Sequence, residues 1–279
     1  MLIAGQYYTL RAGRVSDYGV YLTDEEQEVL LPNRYVSEDL KENDTVKVFV
    51  YHDSEDRLVA TTETPKATAG QVAVLEVVDR TIHGAFLDWG LSAKHLFLPL
   101  SNQQYKVEKG QKCVVYIYTD NVTGRAVATT KLTGNIKNID ELDYSYGQSV
   151  EAIVVQSNNV GFRVIINNKH WAMIYHNQIY QRISIGDTLT AYVVKVTEDN
   201  RIDLSLTKPG FKGVKDAAED LLEIIKDNGG VLDLCDDSSP EDIARIARVS
   251  KKVFKRSVGQ LLKRKLIEFK GNKIVLTRK

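Results

Sequence analysis

The sequence predicts a mainly β chain of three small closed barrels in series, each of five strands, followed by an α+β module. Three observations predict it. A motif recurs at a spacing of about 67 residues, each copy is a set of short strands, and past residue 210 the hydrophobic spacing changes from strand-like to helical. Arg57-Leu-Val-Ala-Thr-Thr62 recurs as Arg125-Ala-Val-Ala-Thr-Thr130, and Leu30-Leu31-Pro32 recurs as Phe97-Leu98-Pro99. Upstream, Tyr18-Gly19-Val20-Tyr21-Leu22 parallels His83-Gly84-Ala85-Phe86-Leu87. The matches keep their order, as a duplicated domain requires. A fainter third copy carries Asn159-Val-Gly161-Phe162-Arg163-Val164, Ile185-Gly186-Asp187-Thr188-Leu189 and Arg201-Ile-Asp-Leu-Ser-Leu206.

The first copy, residues 1–66, contains the strand Thr45-Val-Lys-Val-Phe-Val-Tyr51. The second, 67–132, contains Gln71-Val-Ala-Val-Leu-Glu-Val-Val78 and Lys112-Cys-Val-Val-Tyr-Ile-Tyr118. The third, 144–208, contains Thr188-Leu-Thr-Ala-Tyr-Val-Val194. These stretches are rich in β-branched and aromatic residues, and clusters of Asp, Gly and Asn separate them. Five strands in about 65 residues is the scale of an OB-fold, a barrel whose closure removes exposed sheet edges. Pro65 and Lys66-Ala-Thr-Ala-Gly70 mark the first seam, Thr133 to Asp143 the second, and Lys208-Pro209-Gly210 the end of the third copy.

In the last module, 210–279, Val214, Ala217, Ala218, Leu221, Leu222 and Ile225 recur at helical spacing until Gly229-Gly230. Val231-Leu-Asp-Leu234 reads as a short strand. Ser239-Pro240-Glu241-Asp242 supplies an N-cap, a proline at the first helical position and acids in the first turn, so a helix runs to about Arg248. Ser250 caps a third helix, about 251 to 265. Its Val253, Phe254, Ser257, Val258, Leu261 and Leu262 share one side, and Lys251, Lys252, Lys255, Arg256, Lys263, Arg264 and Lys265 are left to solvent. A hairpin through Gly271-Asn272 follows. This order of elements describes a winged helix-turn-helix.

Composition excludes whole classes. Hydrophobic residues at 43% and charged residues at 27% suit a folded globular chain. No apolar run is long enough for a membrane span, and the start lacks a basic region followed by an apolar stretch, so neither insertion nor export by that route is expected. Cys113 and Cys235 form no Cys-x-x-Cys pair, which argues for a reducing cytoplasm and against a zinc site. The net charge of zero conceals −6 on residues 1–66 and +5 on 210–279. Residues 244–279 carry 13 basic residues against the single acid Glu268, an electrostatic footprint for a polyanion.

The Gly-aromatic element, the Leu-Leu-Pro or Phe-Leu-Pro turn, the Gly/Asn-Asp/Gln strand entry and the closing Arg201-Ile-Asp-Leu-Ser resemble the S1 RNA-binding domain. In that family two aromatics flank the Gly-Ala element, a His follows the next strand, and an Asp and an Arg sit on the last hairpin. The resemblance implies Tyr18, Tyr21, Asp53 and Arg57 in the first copy, with Pro32 in the His place. It implies His83, Phe86, Asp120 and Arg125 in the second, with Pro99 there. In the third it implies Phe162, Tyr175 in the His place, and Arg201, with Thr197 replacing the Asp. No copy is complete, so the first two are expected to serve as spacers or docking surfaces. With the paired segments Ser239-Pro-Glu-Asp-Ile243 and Ser250 to Gly259, the whole chain resembles the conserved virulence factor B family of S1 and winged-helix proteins. That resemblance implies an RNA-binding regulatory protein without known catalysis.

The residues read the same way. A run of charge is ordinarily a solvated helix face. Here no acid at i+4 offsets the lysines, and like charges on a helix cost a few tenths of a kcal/mol per pair, which favours a polyanion contact. Barrel aromatics such as Tyr21 and Phe86 serve equally well as core packing or as stacking platforms. The third copy holds Tyr144, Tyr146, Phe162, Trp171, Tyr175, Tyr180 and Tyr192 with Arg163, Lys169, His170, His176 and Arg182 interleaved, the pattern that single strands need. Single-stranded RNA is therefore the expected partner, held by Phe162, Arg163, Tyr175 and Arg201 and by Lys251, Lys252, Lys255, Arg256, Lys263 and Arg264. Tyr18, Tyr21, Arg57, His83, Phe86 and Arg125 are secondary candidates. The acidic first copy is expected to dock on a protein or on the chain itself. Neither cofactor nor metal is expected, since the five histidines and the first-copy acids lack ligand spacing and no phosphate loop or nucleophile elbow occurs. The alternatives are a DNA-binding transcription regulator acting through the winged helix and a ribosome- or protein-docking adaptor.

Overall fold

A computed structural model describes residues 1–136, 144–179, 181–197, 201–208 and 214–277, with the backbone alone for 214–216. Tyr180, residues 137–143 of the second seam, Pro209-Gly210, the Val214 side chain and the last two basic residues lie outside that description.

The first barrel comprises β1 (Gln6–Ser16), β2 (Gly19–Thr23), β3 (Glu28–Pro32), β4 (Thr45–His52) and β5 (Leu58–Thr61). They close in the order β1-β2-β3-β5-β4, with β3 and β5 parallel and every other pair antiparallel. β6 (Val72–Thr81), β7 (Gly84–Leu91), β8 (Lys94–Pro99), β9 (Lys112–Thr119) and β10 (Ala126–Thr129) repeat that order. So do β11 (Ser149–Ser157), β12 (Gly161–Ile166), β13 (His170–Tyr175), β14 (Thr188–Val196) and β15 (Ile202–Ser205). The duplication read from the motifs is thus carried into register: Leu30 pairs with Val59, and Phe97 with Val127.

Two local devices recur in all three barrels. At the entry to the fourth strand, Asn43, Gly110 and Gly186 have φ of 71°, 80° and 92°, a left-handed turn that Asn and Gly adopt readily. The side chain that follows, Asp44, Gln111 or Asp187, then accepts a hydrogen bond from the amide three residues upstream at 2.8–2.9 Å. At the start of the second strand, a Cβ on Gly19, Gly84 or Gly161 would lie 2.0, 2.3 or 2.1 Å from the carbonyl oxygen of Leu31, Leu98 or Ile174. Only glycine permits that approach of backbone to backbone.

The chain divides into two compact units, one holding the first two barrels and the other the third barrel and the C-terminal module. Within the first unit β4 is buried on both sides. Val48 and Val50 fill their own barrel, whereas Phe49 and Tyr51 belong to the core of the second barrel. Trp89 is 1% exposed, meets Phe49 edge-on at 5.2 Å and donates its indole N–H to the Ala67 carbonyl at 2.8 Å. The first two barrels therefore share an aromatic core and are fused, a feature that the expectation of spacers or docking surfaces did not specify.

In the second unit α1 (Val214–Asp227), α2 (Pro240–Ala247) and α3 (Lys251–Lys263) pack with β16 (Val231–Leu232), β17 (Ile267–Lys270) and β18 (Lys273–Leu276) around Phe254, Leu221, Ile243 and Leu261. The sheet order is β16-β18-β17. Ser239 Oγ accepts from the Asp242 amide at 3.0 Å and Ser250 Oγ from the Val253 amide at 3.3 Å, so both caps read from the sequence are made. α2 stops at Ala247 because Arg248 is left-handed, with φ 56°. The third helix ends two residues before the expected 265, since Lys265 also turns left-handed.

Candidate nucleic-acid interface

The S1 resemblance places equivalent residues on each barrel, but their surroundings differ. In the first barrel Arg57 is committed: it holds Asp53 through Nε and Nη2 at 3.0 and 2.8 Å and Glu55 at 2.8 Å. The face of Tyr21 is covered by the Arg14 guanidinium, 3.7 Å from the ring centre, and Arg14 in turn pairs with Glu28. Tyr18 is 77% exposed. In the second barrel Arg125 donates to Asp56 of the first barrel at 2.6 Å. Phe86 leans on Phe97 with ring centres 5.3 Å apart, and His83 is exposed. Asp53, Asp120 and Thr197 occupy matching hairpins, where their backbone amides donate to the carbonyls of Arg57, Arg125 and Arg201. These side chains build turns.

The third barrel is arranged differently. Arg163 on β12 sits over Trp171 on β13, its guanidinium carbon 3.8 Å from the ring centre, and forms no ion pair among the described residues. Burial alone pulls its basicity below the usual arginine range, because no acid stabilises the charge. The pair lines an open cleft of about 380 Å³ with Tyr175, Arg201, Met173 and Asp203. Tyr175 donates its hydroxyl to Asp203 at 3.1 Å; burial first, then the Asp203 bond, push the phenol pKa up, so it stays a neutral donor. Arg201 is exposed and forms no ion pair among the described residues. The cleft thus joins Arg163, Tyr175 and Arg201 of the expected set. Phe162 stands aside: it packs partly into the barrel core and meets His176 edge-on at 5.3 Å. Trp171, Met173 and Asp203 are lining residues whose role the resemblance did not single out, although the alternation of β13 could have shown Met173 and Tyr175 on one face.

On α3 the expected cations separate into two groups. Lys251 is a correction: rather than pointing to solvent it is half-buried and donates its ammonium to the Ser238 carbonyl at 2.9 Å. Arg264, just past the helix, pairs with Glu219 of α1 at 2.6 Å. Lys252, Lys255, Arg256 and Lys263 are exposed and form no ion pair among the described residues. At 100° per residue these four fall on one stripe with Gly259 at its middle. A Cβ added at Gly259 would meet nothing within 4 Å.

No group of His, Cys, Asp and Glu among the described residues could hold a metal ion, and no described helix is long and apolar enough to cross a membrane.

Comparison with known proteins places residues 4–63 and 69–131 in the S1 domain family, 144–207 in the S1 RNA binding domain family and 219–276 in the CvfB-like winged helix domain family. The chain is 30% identical over 265 residues to the uncharacterized protein YitL of Bacillus subtilis strain 168, covering 93% of this chain and 89% of that protein. It is 24% identical over 247 residues to conserved virulence factor B of Staphylococcus saprophyticus, covering 87% and 83%. A solved structure of a multidomain protein with nucleic acid binding domains from Streptococcus pneumoniae TIGR4 aligns over 98% of both chains with 24% identity and a TM-score of 0.46.

Proposed function

This chain belongs to the conserved virulence factor B family of S1 and winged-helix proteins, and from that premise we propose that it is a non-catalytic regulator that binds single-stranded RNA and acts after transcription. S1 domains indicate nucleic-acid binding. The choice of RNA over other nucleic acids is our reading, and one observation carries it. The first barrel also sets an arginine over a ring, Arg14 on Tyr21, but Arg14 is paired with Glu28; among the described residues, only the third barrel's cleft joins a ring-stacked arginine and a second arginine that both form no ion pair. Arg57 and Arg125 have their charge satisfied inside the protein.

Unpaired bases offer exposed faces for stacking, whereas a duplex hides them. In this mechanism a base stacks at the Arg163 and Trp171 plane, Tyr175 and Asp203 offer hydrogen bonds to its edge, and Arg201 takes a phosphate. Lys252, Lys255, Arg256 and Lys263 supply further phosphate contacts, which position the strand without reading its sequence. The −6 of the first barrel repels RNA and suits a protein partner.

Titration of labelled single-stranded RNA against two variants tests this. Replacing the four α3 cations with Ala lowers affinity for all sequences alike and reduces the logarithmic salt slope by about 3, at about 0.7 to 0.9 per phosphate contact. Arg163→Ala costs about 1 to 3 kcal/mol, the worth of one stacked base, with a smaller change in slope. Unchanged binding in both variants removes the proposal.

A further inference from the structure

The third barrel's cleft contains one group that a site for a polyanion does not need. Asp203 of β15 lines it beside Arg163, Trp171 and Tyr175, and its Oδ1 accepts the Tyr175 hydroxyl at 3.1 Å. The carboxylate is partly buried and forms no ion pair among the described residues, although Lys195 is its register neighbour on β14. A negative charge at this place repels phosphate, so it lowers affinity for every strand alike.

The other two barrels close without it. Asp203 stands opposite Met173 in the parallel bridge that joins the third and fifth strands of its barrel. The same bridge sets Val59 against Leu30 in the first barrel and Val127 against Phe97 in the second, and both valines are buried. Two residues beyond Leu30 and Phe97 come Pro32 and Pro99, where the third barrel has Tyr175. Valine and proline therefore suffice to build this corner of the fold. The hydroxyl and carboxylate that replace them in the third barrel alone face the cleft, and their chemistry is that of a ligand contact.

A carboxylate has acceptors only, and a phenol that gives its proton to that carboxylate is left with acceptor lone pairs. The edge that Tyr175 and Asp203 present to a base stacked at Arg163 thus calls for donors side by side. Among the four bases only guanine carries two adjacent donors on its Watson–Crick edge, N1–H and the N2 amine. Adenine and cytosine set one amine beside a ring-nitrogen acceptor, and uracil flanks its single N–H with two carbonyls. Each of these three turns at least one acceptor toward the protein oxygens. We propose that Asp203, oriented by Tyr175, makes the third-barrel cleft select guanine in single-stranded RNA. This selectivity rests on that cleft being the RNA site and adds the base it recognises: the cations supply affinity, and the carboxylate supplies choice.

Titration of the full chain with labelled uridine oligomers about eight nucleotides long, within the span of one OB barrel, tests the assignment. Each carries guanosine, inosine, adenosine, cytidine or uridine at its centre. The guanosine oligomer is expected to bind about tenfold or more tighter than the all-uridine one, with inosine, which lacks the N2 amine, between them. Asp203→Asn exchanges an acceptor for an amide donor at nearly the same size; it removes the guanosine preference and leaves the uridine oligomer bound at least as well. Asp203→Val, the residue of the other two barrels, has the same effect and guards against a variant that fails to fold. Equal binding of all the oligomers by the unaltered chain overturns the selectivity while RNA binding stands. A guanosine preference that survives both substitutions overturns it equally. Failure of every oligomer to bind overturns the RNA site and the selectivity together.

Discussion

At the scale of single residues, what separates the barrels is where each arginine spends its charge. Arg57 and Arg125 have matching places in the repeat, yet the first is held by Asp53, four residues away, and the second by Asp56, across a barrel boundary. The sequence shows the arginines but not the second partner, because a contact over that separation depends on how two barrels dock. Arg163 over Trp171 was legible only as a cation among aromatics; the pairing follows from adjacent strands placing both on one face. Gly259 supplies a sharper case. Glycine inside a helix costs about 0.8 to 1 kcal/mol relative to alanine, and nothing in this protein crowds the position. In the proposed function, an open glycine amid four exposed cations would let a phosphate backbone approach the helix closely. Gly259→Ala is expected to raise stability by about that amount in urea melts while lowering RNA affinity. A variant that is more stable and binds equally well would show that the bare surface has no such role.

At the scale of elements, the strands and helices were largely legible because their signals are local. The Ser-Pro-Glu-Asp start of α2 and the Ser250 cap of α3 act within one turn, and the left-handed Asn or Gly before each fourth strand acts within three residues. The inward turn of Lys251 was not legible, since its acceptor is a carbonyl in the loop before α2. The recurring Gly of the second strand was visible as a motif, but its reason is the carbonyl of the third strand. Gly161→Ala would force a Cβ to 2.1 Å from the Ile174 oxygen, so the third barrel is expected to lose about 1 to 3 kcal/mol or more, read by chemical denaturation. Full stability in that variant would mean that β12 and β13 can separate at no cost.

At the scale of the molecule, the repeat count and the polarised charge were readable in advance, whereas the fusion of the first two barrels was not. Its trace is the unbroken buried run Val48-Phe49-Val50-Tyr51, which belongs to a strand covered on both faces. The Asp56 to Arg125 bridge closes the same seam, and its pH dependence has a definite sign. Asp56 is held below its ordinary 3.8, first by the Arg125 hydrogen bond, so the stabilisation is complete above that value and disappears as pH falls through the folded-state value. In a Trp171→Phe background Trp89 reports the first unit alone. Its denaturation midpoint should fall on acidification below about pH 4, and Asp56→Asn should remove that component. An identical acid response in both proteins would exclude the bridge as its source. The central claim concerns the other unit, and one competition experiment tests it most directly: labelled single-stranded RNA on the full chain, displaced by unlabelled single-stranded RNA, duplex RNA or duplex DNA at two salt concentrations. Single-stranded RNA is expected to compete best at both, with affinity falling steeply with salt; stronger competition by duplex DNA, or no retained RNA at the lower salt, would contradict single-strand RNA binding.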